Sequence, residues 1–364
     1  MTDHAPGRRS PLHDLHAELG ARFTSFAGWE MPLQYANGTV SECRAVRERA
    51  GVFDVSHLAR VRLRGSDAGP ALRSVTTYDV TALRPGRAHY SLYCNDDGGI
   101  EDDVFVYRLP DKRWLVVHNA ANAAPDFARL EAVSGTDPDD VTASTVMLAV
   151  QGPGALETLE GIFAAPLAGT RRNACLELDW AGARALFART GYTGEDGGEC
   201  VLAPEPGARL LRALIERGVD PAGLAARDTL RLEAALPLHG NDIGPGTNPF
   251  EAGLGFAVSL EDTGFTGRDA LIALAANPPK RQLACVRTEE RAVLRAGYEL
   301  VERNAGGRTL GQLTSGGFSP TLGVGIGMAY LSPALAEPGR ELAVRIRSKD
   351  VAAAVVRRPF YKRR

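Results

Sequence analysis

No apolar run in this sequence approaches the roughly 18 residues that a membrane-spanning helix requires. The N-terminal stretch MTDHAPGRRSPLHDLH has no apolar segment of the kind a secretory signal carries. Cysteine is sparse: Cys43, Cys94, Cys175, Cys200 and Cys285 are scattered and include no C-x-x-C pair. That argues against a disulfide framework and against a cysteine-held zinc site. The seven histidines supply no H-E-x-x-H spacing, and no G-x-x-x-x-G-K-[ST] phosphate loop is present. AVQGPGAL (149–156) lacks the third glycine and the following acidic residue of a dinucleotide-binding turn. The formal net charge is only −2, so electrostatics alone give no reason to expect nucleic acid or membrane as partner. The terminal RRPFYKRR is locally basic and reads as a solvated tail, or else as a contact for an acidic partner or ligand. The expectation is a cytoplasmic, metal-free protein.

What is present is the composition of a soluble globular chain, 44% hydrophobic and 24% charged. Its 364 residues allow a large core divided among two or three domains. RVRLRG (60–65) and WLVVHN (114–119) alternate and are β-branched, as strands are. AAPDFARLEAVSG, GPGALETLEGIF and AARDTLRLEAAL (225–236) carry apolar residues three and four apart, as amphipathic helices do. NPPKRQ (277–282) reads as a linker. After it, LACVRT, GYELVER, TLGQLTSG, GVGIGMAYL and ELAVRIRS are short strands between glycine-rich turns, the pattern of a small barrel or sandwich. The expected fold is α+β and multi-domain. Residues 1–276 form two interleaved α+β subdomains, and 282–364 a C-terminal β-barrel domain.

Four stretches carry chemistry. In GGIEDDVFVY (98–107), alternation puts Asp102, Val104 and Val106 on one strand face and Asp103, Phe105 and Tyr107 on the other. The second face joins a carboxylate to two aromatic surfaces, which suits a flat heteroaromatic ligand with a basic nitrogen. The alternative is a pair of turn aspartates bonded to local backbone. In RTGYTGEDGGECVLA (189–203), Glu199 stands where a glycine-dense loop becomes strand. It could accept two parallel N–H bonds from an amidine-like edge such as a pterin's, or be a solvated hairpin acid. Arg227 and Arg231 lie at i and i+4 on one helix face, suited to a ligand carboxylate or to an ion pair. Asp54, Ser56 and His57 are too close in sequence for a catalytic triad, and read as turn and capping residues.

Taken together, FAGWEMPLQY, ERAGVFDVSH, YSLYCNDDGGIEDDVFVY, VHNAAN, AVQGP, RTGYTGEDGGE, GLAARDTLRLEA, TNPFEAGL, FTGRDAL and TSGGFSPTLG resemble, in order, the aminomethyltransferase family, the T-protein of the glycine cleavage system. The resemblance runs from about residue 11 to Tyr361. It implies a cloverleaf-like folate-binding fold with tetrahydrofolate as co-substrate. It implies a lipoylated H-protein as partner, from whose aminomethyl group a one-carbon unit passes to the folate. The products would be 5,10-methylenetetrahydrofolate, ammonia and the reduced lipoyl arm. On the matching motifs, Asp103 is the implied catalytic carboxylate. Leu58, Tyr90, Phe105, Tyr107 and Asn119 line the implied folate pocket, Glu199 meets the pterin edge, and Arg227 lies near the folate tail.

The sequence departs from the family pattern at Leu58, where methionine is usual, and at the basic Arg60 and Arg62. It departs again in RRNACLELDW, and in LHGNDIGP, where His239 replaces a tyrosine. These changes bear on the donor. They keep open an alternative, a tetrahydrofolate-dependent demethylase or one-carbon transferase acting on another donor or acceptor. A folate-binding maintenance protein for iron–sulfur enzymes would carry a cysteine motif where this chain reads TGFTGRDAL.

Overall fold

The computed structural model describes residues 7–261, 264–303 and 307–363. The first six residues of the N-terminal stretch and Arg364 of the basic tail lie outside them. The chain divides into two compact units. One comprises Met1–Val75, Asp79–Ser91 and Asp103–Arg227; the other Thr76–Tyr78, Leu92–Asp102 and Asp228–Arg364.

The first unit is organised on a six-stranded sheet. Its strands run in the order Cys175–Trp180, Ala183–Ala188, Gly197–Leu202, Val146–Gln151, Gly51–Asp54 and Asp220–Pro221. Val146–Gln151 is buried at every position, as an unbroken apolar run in a central strand should be. The helices Ala155–Phe163 and Pro204–Glu216 pack on this sheet through Leu156, Leu159, Ile162, Phe163, Leu210, Leu211 and Leu214. Those positions recur at three- and four-residue spacing, so one stripe of each helix is apolar. Ala164 ends the first helix in the left-handed conformation at φ 52°.

A five-stranded sheet is ordered Arg87–Cys94, Ile100–Arg108, Trp114–His118, Ala59–Leu63, Pro138–Asp140. In Ile100–Arg108, Asp102, Val104 and Val106 are buried, while Asp103 and Phe105 are half-buried and Tyr107 is buried. The two faces therefore differ as alternation requires. The glycines ahead of this strand have separate reasons. Gly98 adopts φ 81°, which favours glycine. Gly99 has no room for a Cβ, which would lie 1.9 Å from the Pro245 carbonyl oxygen. Asn95 closes the turn, its Oδ1 accepting from the Gly99 and Asp97 amides at 2.8 and 3.1 Å.

The second unit contains a closed six-stranded barrel: Gln282–Thr288, Val324–Leu331, Thr309–Ser319, Glu299–Val301, Glu341–Ile346 and Lys349–Val356. Closure leaves no open sheet edge. Val286, Leu300, Leu313, Leu331, Leu342, Val344, Ala353 and Val355 fill its interior. The sequence reading anticipates five of these strands and misses Lys349–Val356, whose alanines carry little strand preference.

The basic tail is a second difference. Arg357, Arg358, Pro359, Lys362 and Arg363 are exposed, as a solvated tail should be, yet the segment is also tied down. Arg358 donates from Nε to the Ala235 carbonyl at 2.9 Å and from Nη1 to that of Ala252 at 3.1 Å. The Tyr361 amide bonds the Glu233 carbonyl at 2.9 Å, and Phe360 packs against Leu232, Ala235, Cys285, Ile326 and Met328.

Candidate active site

In the first unit the proposed site residues fall into small contact groups, Asp103 with Asn119, Phe105 with Tyr107, Tyr107 with Thr190 and Glu199, and Arg227 with Tyr192. Asp103 sits on the half-buried face of Ile100–Arg108. Asn119, just past the end of the neighbouring strand, donates from Nδ2 to Asp103 Oδ1 at 2.9 Å and to the Asp103 carbonyl at 3.2 Å. One amide thus fixes both the carboxylate and the backbone that carries it. Two residues further on, the Phe105 and Tyr107 rings meet at 5.3 Å between centroids, tilted by 45°. Tyr90, half-buried, lies on the strand Arg87–Cys94, which neighbours Ile100–Arg108 in the sheet.

From Tyr107 the contacts pass to the glycine-dense loop. The Tyr107 hydroxyl lies 3.4 Å from Thr190 Oγ1, and Thr190 Oγ1 donates to Glu199 Oε2 at 2.6 Å. Burial holds the Tyr107 phenol well above its ordinary pKa, with the Glu199 charge adding to the rise, so it stays a neutral donor. Glu199 stands opposite Ala149 on one neighbouring strand and Ala188 on the other. These short cross-strand neighbours share its face and leave the carboxylate room.

Arg227 is on the helix Leu224–Glu233, its guanidinium 4.9 Å above the Tyr192 ring. The residue is half-buried, but Nη1 is shut off from solvent with no hydrogen-bond partner among the described residues. Burial lowers the Arg227 pKa, and the nearby Glu199 charge opposes that fall. His57 is similar. Its Nδ1 is buried without a partner, and the ring is edge-on to Phe26 at 5.4 Å. Burial pushes the imidazole down to about 3, and the Arg227 cation acts in the same direction, against the pull of Asp54. Leu58 follows His57 and is half-buried.

Asp54, Ser56 and His57 form no triad. Asp54 Oδ1 accepts the Ser56 amide at 2.9 Å, and Oδ2 takes Ser10 Oγ at 2.5 Å and His16 Nε2 at 3.0 Å. The turn role read from the sequence holds. Arg60 lies fully buried beneath the same turn. It donates to the carbonyls of Ser56, Leu58, Thr142 and Thr145, and from Nε to Thr145 Oγ1 at 2.9 Å.

Thr190, Tyr192 and Gln151 take part in this arrangement and were not singled out from the sequence as site residues. Their signal was the density of RTGYTGE itself, together with an otherwise unexplained glutamine in AVQGP. Among the described residues no group of three or more His, Cys, Asp or Glu could hold a metal ion, and no helix is long and apolar enough to cross a membrane. All five cysteines are buried free thiols.

An α+β body with buried acids, a caged arginine and a terminal barrel meets close counterparts among known proteins. Residues 12–262 match the family model described as GCVT N-terminal domain, and residues 281–362 the glycine cleavage T-protein C-terminal barrel domain. The chain is 44% identical over 364 residues to the aminomethyltransferase of Saccharopolyspora erythraea, covering 98% of each. It is 45% identical over 367 residues to that of Synechococcus sp. strain WH7803, covering 97% of this chain and 98% of the other. The crystal structure of glycine cleavage system aminomethyltransferase T from Bartonella henselae superposes with a TM-score of 0.90 at 36% identity, covering 98% of this chain and 99% of that one. Fold and relatives define a group-transferring enzyme, an aminomethyltransferase. The chain belongs to the glycine cleavage T-protein family, and the alternative of another donor or acceptor is not favoured.

Proposed function

We propose that tetrahydrofolate is the one-carbon acceptor, that the donor is the aminomethyl group on a lipoylated carrier, the H-protein, and that the protein works in the cytoplasm. The observation that carries the folate reading is the unmet Arg227 donor near the Glu199 charge, together with the ring surfaces that share a strand face with Asp103. Arg227 Nη1 is a buried donor with no protein acceptor, suited to a carboxylate or carbonyl of a bound ligand. Phe105 and Tyr107 offer ring surface, and Glu199 offers acceptors to an amidine-like edge. The relatives' shared name supports the carrier, and five buried free thiols suit a reducing compartment.

Tetrahydrofolate would supply the nitrogen nucleophiles that receive the carbon. Asp103 sets a fixed negative charge beside the place where positive charge would develop as the carbon gives up its bonds to ammonia and to the lipoyl sulfur and takes two to folate nitrogens. Such preorganised charge is often the largest catalytic contribution. Asn119 holds that carboxylate in one orientation, so little reorganisation is needed at the moment of reaction. Glu199, Tyr90, Phe105, Tyr107, Leu58 and Arg227 bind and orient.

The experiment is a coupled assay of the full chain with tetrahydrofolate and aminomethylated H-protein, beside calorimetric binding of tetrahydrofolate. Methylenetetrahydrofolate should form, and Asp103→Asn should lower kcat by about 100- to 1,000-fold while folate binding stays within about threefold. Full turnover in Asp103→Asn would remove Asp103 from the chemistry. Absence of folate binding by the unaltered protein would remove the reading altogether.

A further inference from the structure

Glu199 is a buried acid that meets two hydroxyls, Thr190 Oγ1 at 2.6 Å and that of Tyr107. The direction of the Thr190 bond matters. Thr190 Oγ1 has a single proton. At 2.6 Å from Glu199 Oε2, against 3.4 Å from the Tyr107 hydroxyl and 3.5 Å from the Ala188 carbonyl, the proton goes to the carboxylate. The Tyr107 hydroxyl is within hydrogen-bonding reach of both Thr190 and Glu199. Whichever of the two takes the Tyr107 proton, the carboxylate is met by hydroxyl donors and acts as an acceptor only. An acceptor pair selects a ligand edge made of two donors and rejects an edge that offers an acceptor.

Thr190 is itself clamped. Gln151, buried at the end of the strand Val146–Gln151, donates from Nε2 to the Thr190 carbonyl at 3.1 Å. Its Oε1 accepts from Thr193 Oγ1 at 2.9 Å. The two ends of one side-chain amide therefore hold the loop at Thr190 and at Thr193. Gly191 between them is tight: a Cβ there would lie 1.9 Å from Gln151 Oε1. This accounts for the glutamine of AVQGP and for the glycine after Thr190, which neither a dinucleotide turn nor a positive φ requires.

We propose that Thr190 is a positioning residue. Its hydroxyl, braced from behind by Gln151, aims the Glu199 carboxylate and keeps it an acceptor, and so sets selectivity for a ligand edge with two adjacent N–H donors. The inference rests on the folate reading above and adds to it the residues that make Glu199 selective.

The test compares Thr190→Val, which keeps the shape and removes the hydroxyl, with Thr190→Ser, which keeps the hydroxyl. Gln151→Leu removes the brace alone. KM and kcat are measured with tetrahydrofolate, and dissociation constants with tetrahydrofolate and with its 2-desamino analogue, which lacks one donor. Thr190→Val should raise KM about tenfold with kcat changed less than about twofold, and Thr190→Ser should return KM to within about twofold of the original. The unaltered protein should prefer tetrahydrofolate over the analogue, and Thr190→Val should lose most of that preference. Gln151→Leu should raise KM about threefold, and it gives the reading should Thr190→Val fold poorly. An unchanged KM and preference in both Thr190→Val and Gln151→Leu would overturn the proposal. So would a serine variant as impaired as the valine one. Failure of the unaltered protein to bind tetrahydrofolate at all would instead strike the folate reading, a separate outcome.

Discussion

Arg227 and Arg231 stand one turn apart on the same helix, and the protein treats them in opposite ways. Arg231 is saturated. It donates to Asp228 Oδ1 at 2.8 Å, the Leu236 carbonyl at 3.2 Å, Asp242 Oδ2 at 2.7 Å and Ser315 Oγ at 2.9 Å. Asp242 in turn also accepts Thr314 Oγ1, Ser315 Oγ and the Leu238 amide. Arg227 keeps a ring contact with Tyr192 and a buried Nη1 with no partner. The acids repeat the contrast. Glu233 takes Ser319 Oγ at 2.5 Å and both the amide and hydroxyl of Thr321, whereas the side-chain bonds of Glu199 come from the hydroxyls of Thr190 and Tyr107. A buried charge with a full set of bonds holds structure. One left short of bonds costs stability, and it is kept where a ligand can complete it.

The comparison breaks most visibly on the saturated side. Arg231→Met leaves Asp242 buried without its cation and should cost about 3–5 kcal/mol of stability. Urea unfolding followed by circular dichroism measures it. A loss under about 1 kcal/mol would show that the hydroxyl and amide donors alone satisfy Asp242.

His57 belongs with Arg227 on the unsatisfied side, and it should show in acid. Its folded pKa lies near 3 against an ordinary 6.5, so the unfolded chain binds a proton that the folded one refuses. Stability is therefore full above pH 6.5 and falls as pH drops toward 3, by about 2 kcal/mol at pH 5. Asp54 acts lower down. Burial alone would raise its pKa, but bonds from His16, Ser10 and Ser56 outweigh burial and hold it at about 2. Its contribution is present above 3.8 and lost as pH falls toward 2. His57→Gln should flatten the stability profile between pH 7 and 5 and leave the loss below about pH 4 in place. An unaltered slope between pH 7 and 5 would mean that the folded imidazole takes up its proton.

Arg227→Met tests the other half of the pair. Removing a cation whose buried Nη1 already lacks a hydrogen-bond partner should shift stability by less than about 1 kcal/mol while weakening tetrahydrofolate binding about tenfold. Calorimetric titration and thermal melting separate the two effects. A variant that melts early yet binds normally would place Arg227 with Arg231 among the structural charges.

How much of this was legible in the sequence depends on how local the cause is. The two faces of GGIEDDVFVY follow from alternation, and the structure keeps them. The turn at Asp54 and Ser56 is set by residues two apart, and it too was readable. The fates of Arg227 and Arg231 were not. Residue type, helix and face are the same, and what separates them is Asp242 eleven positions on and Ser315 eighty-four away. Thr190 and Gln151 were missed for the same reason, since they meet across 39 residues through strand pairing. The basic tail misled because its charges suggest solvent, while its anchors are the Arg358 bonds to backbone carbonyls and the Phe360 ring.

The smallest change should give the finest test. Gly191 is exposed, and by surface rules its replacement with alanine would be nearly silent. A methyl there cannot coexist with Gln151 Oε1, which is buried and bonded to Thr193. The glutamine must swing away, and with it goes the hold on the Thr190 carbonyl. Gly191→Ala should therefore raise the tetrahydrofolate KM about threefold while melting within about 2 °C of the unaltered protein. Combining it with Gln151→Leu should add nothing further, because both remove the same brace and coupled sites are not additive. If the two changes multiply instead, Gly191 acts on the loop by a route that does not pass through Gln151, and the contrast between clamped and open charges must be drawn without it.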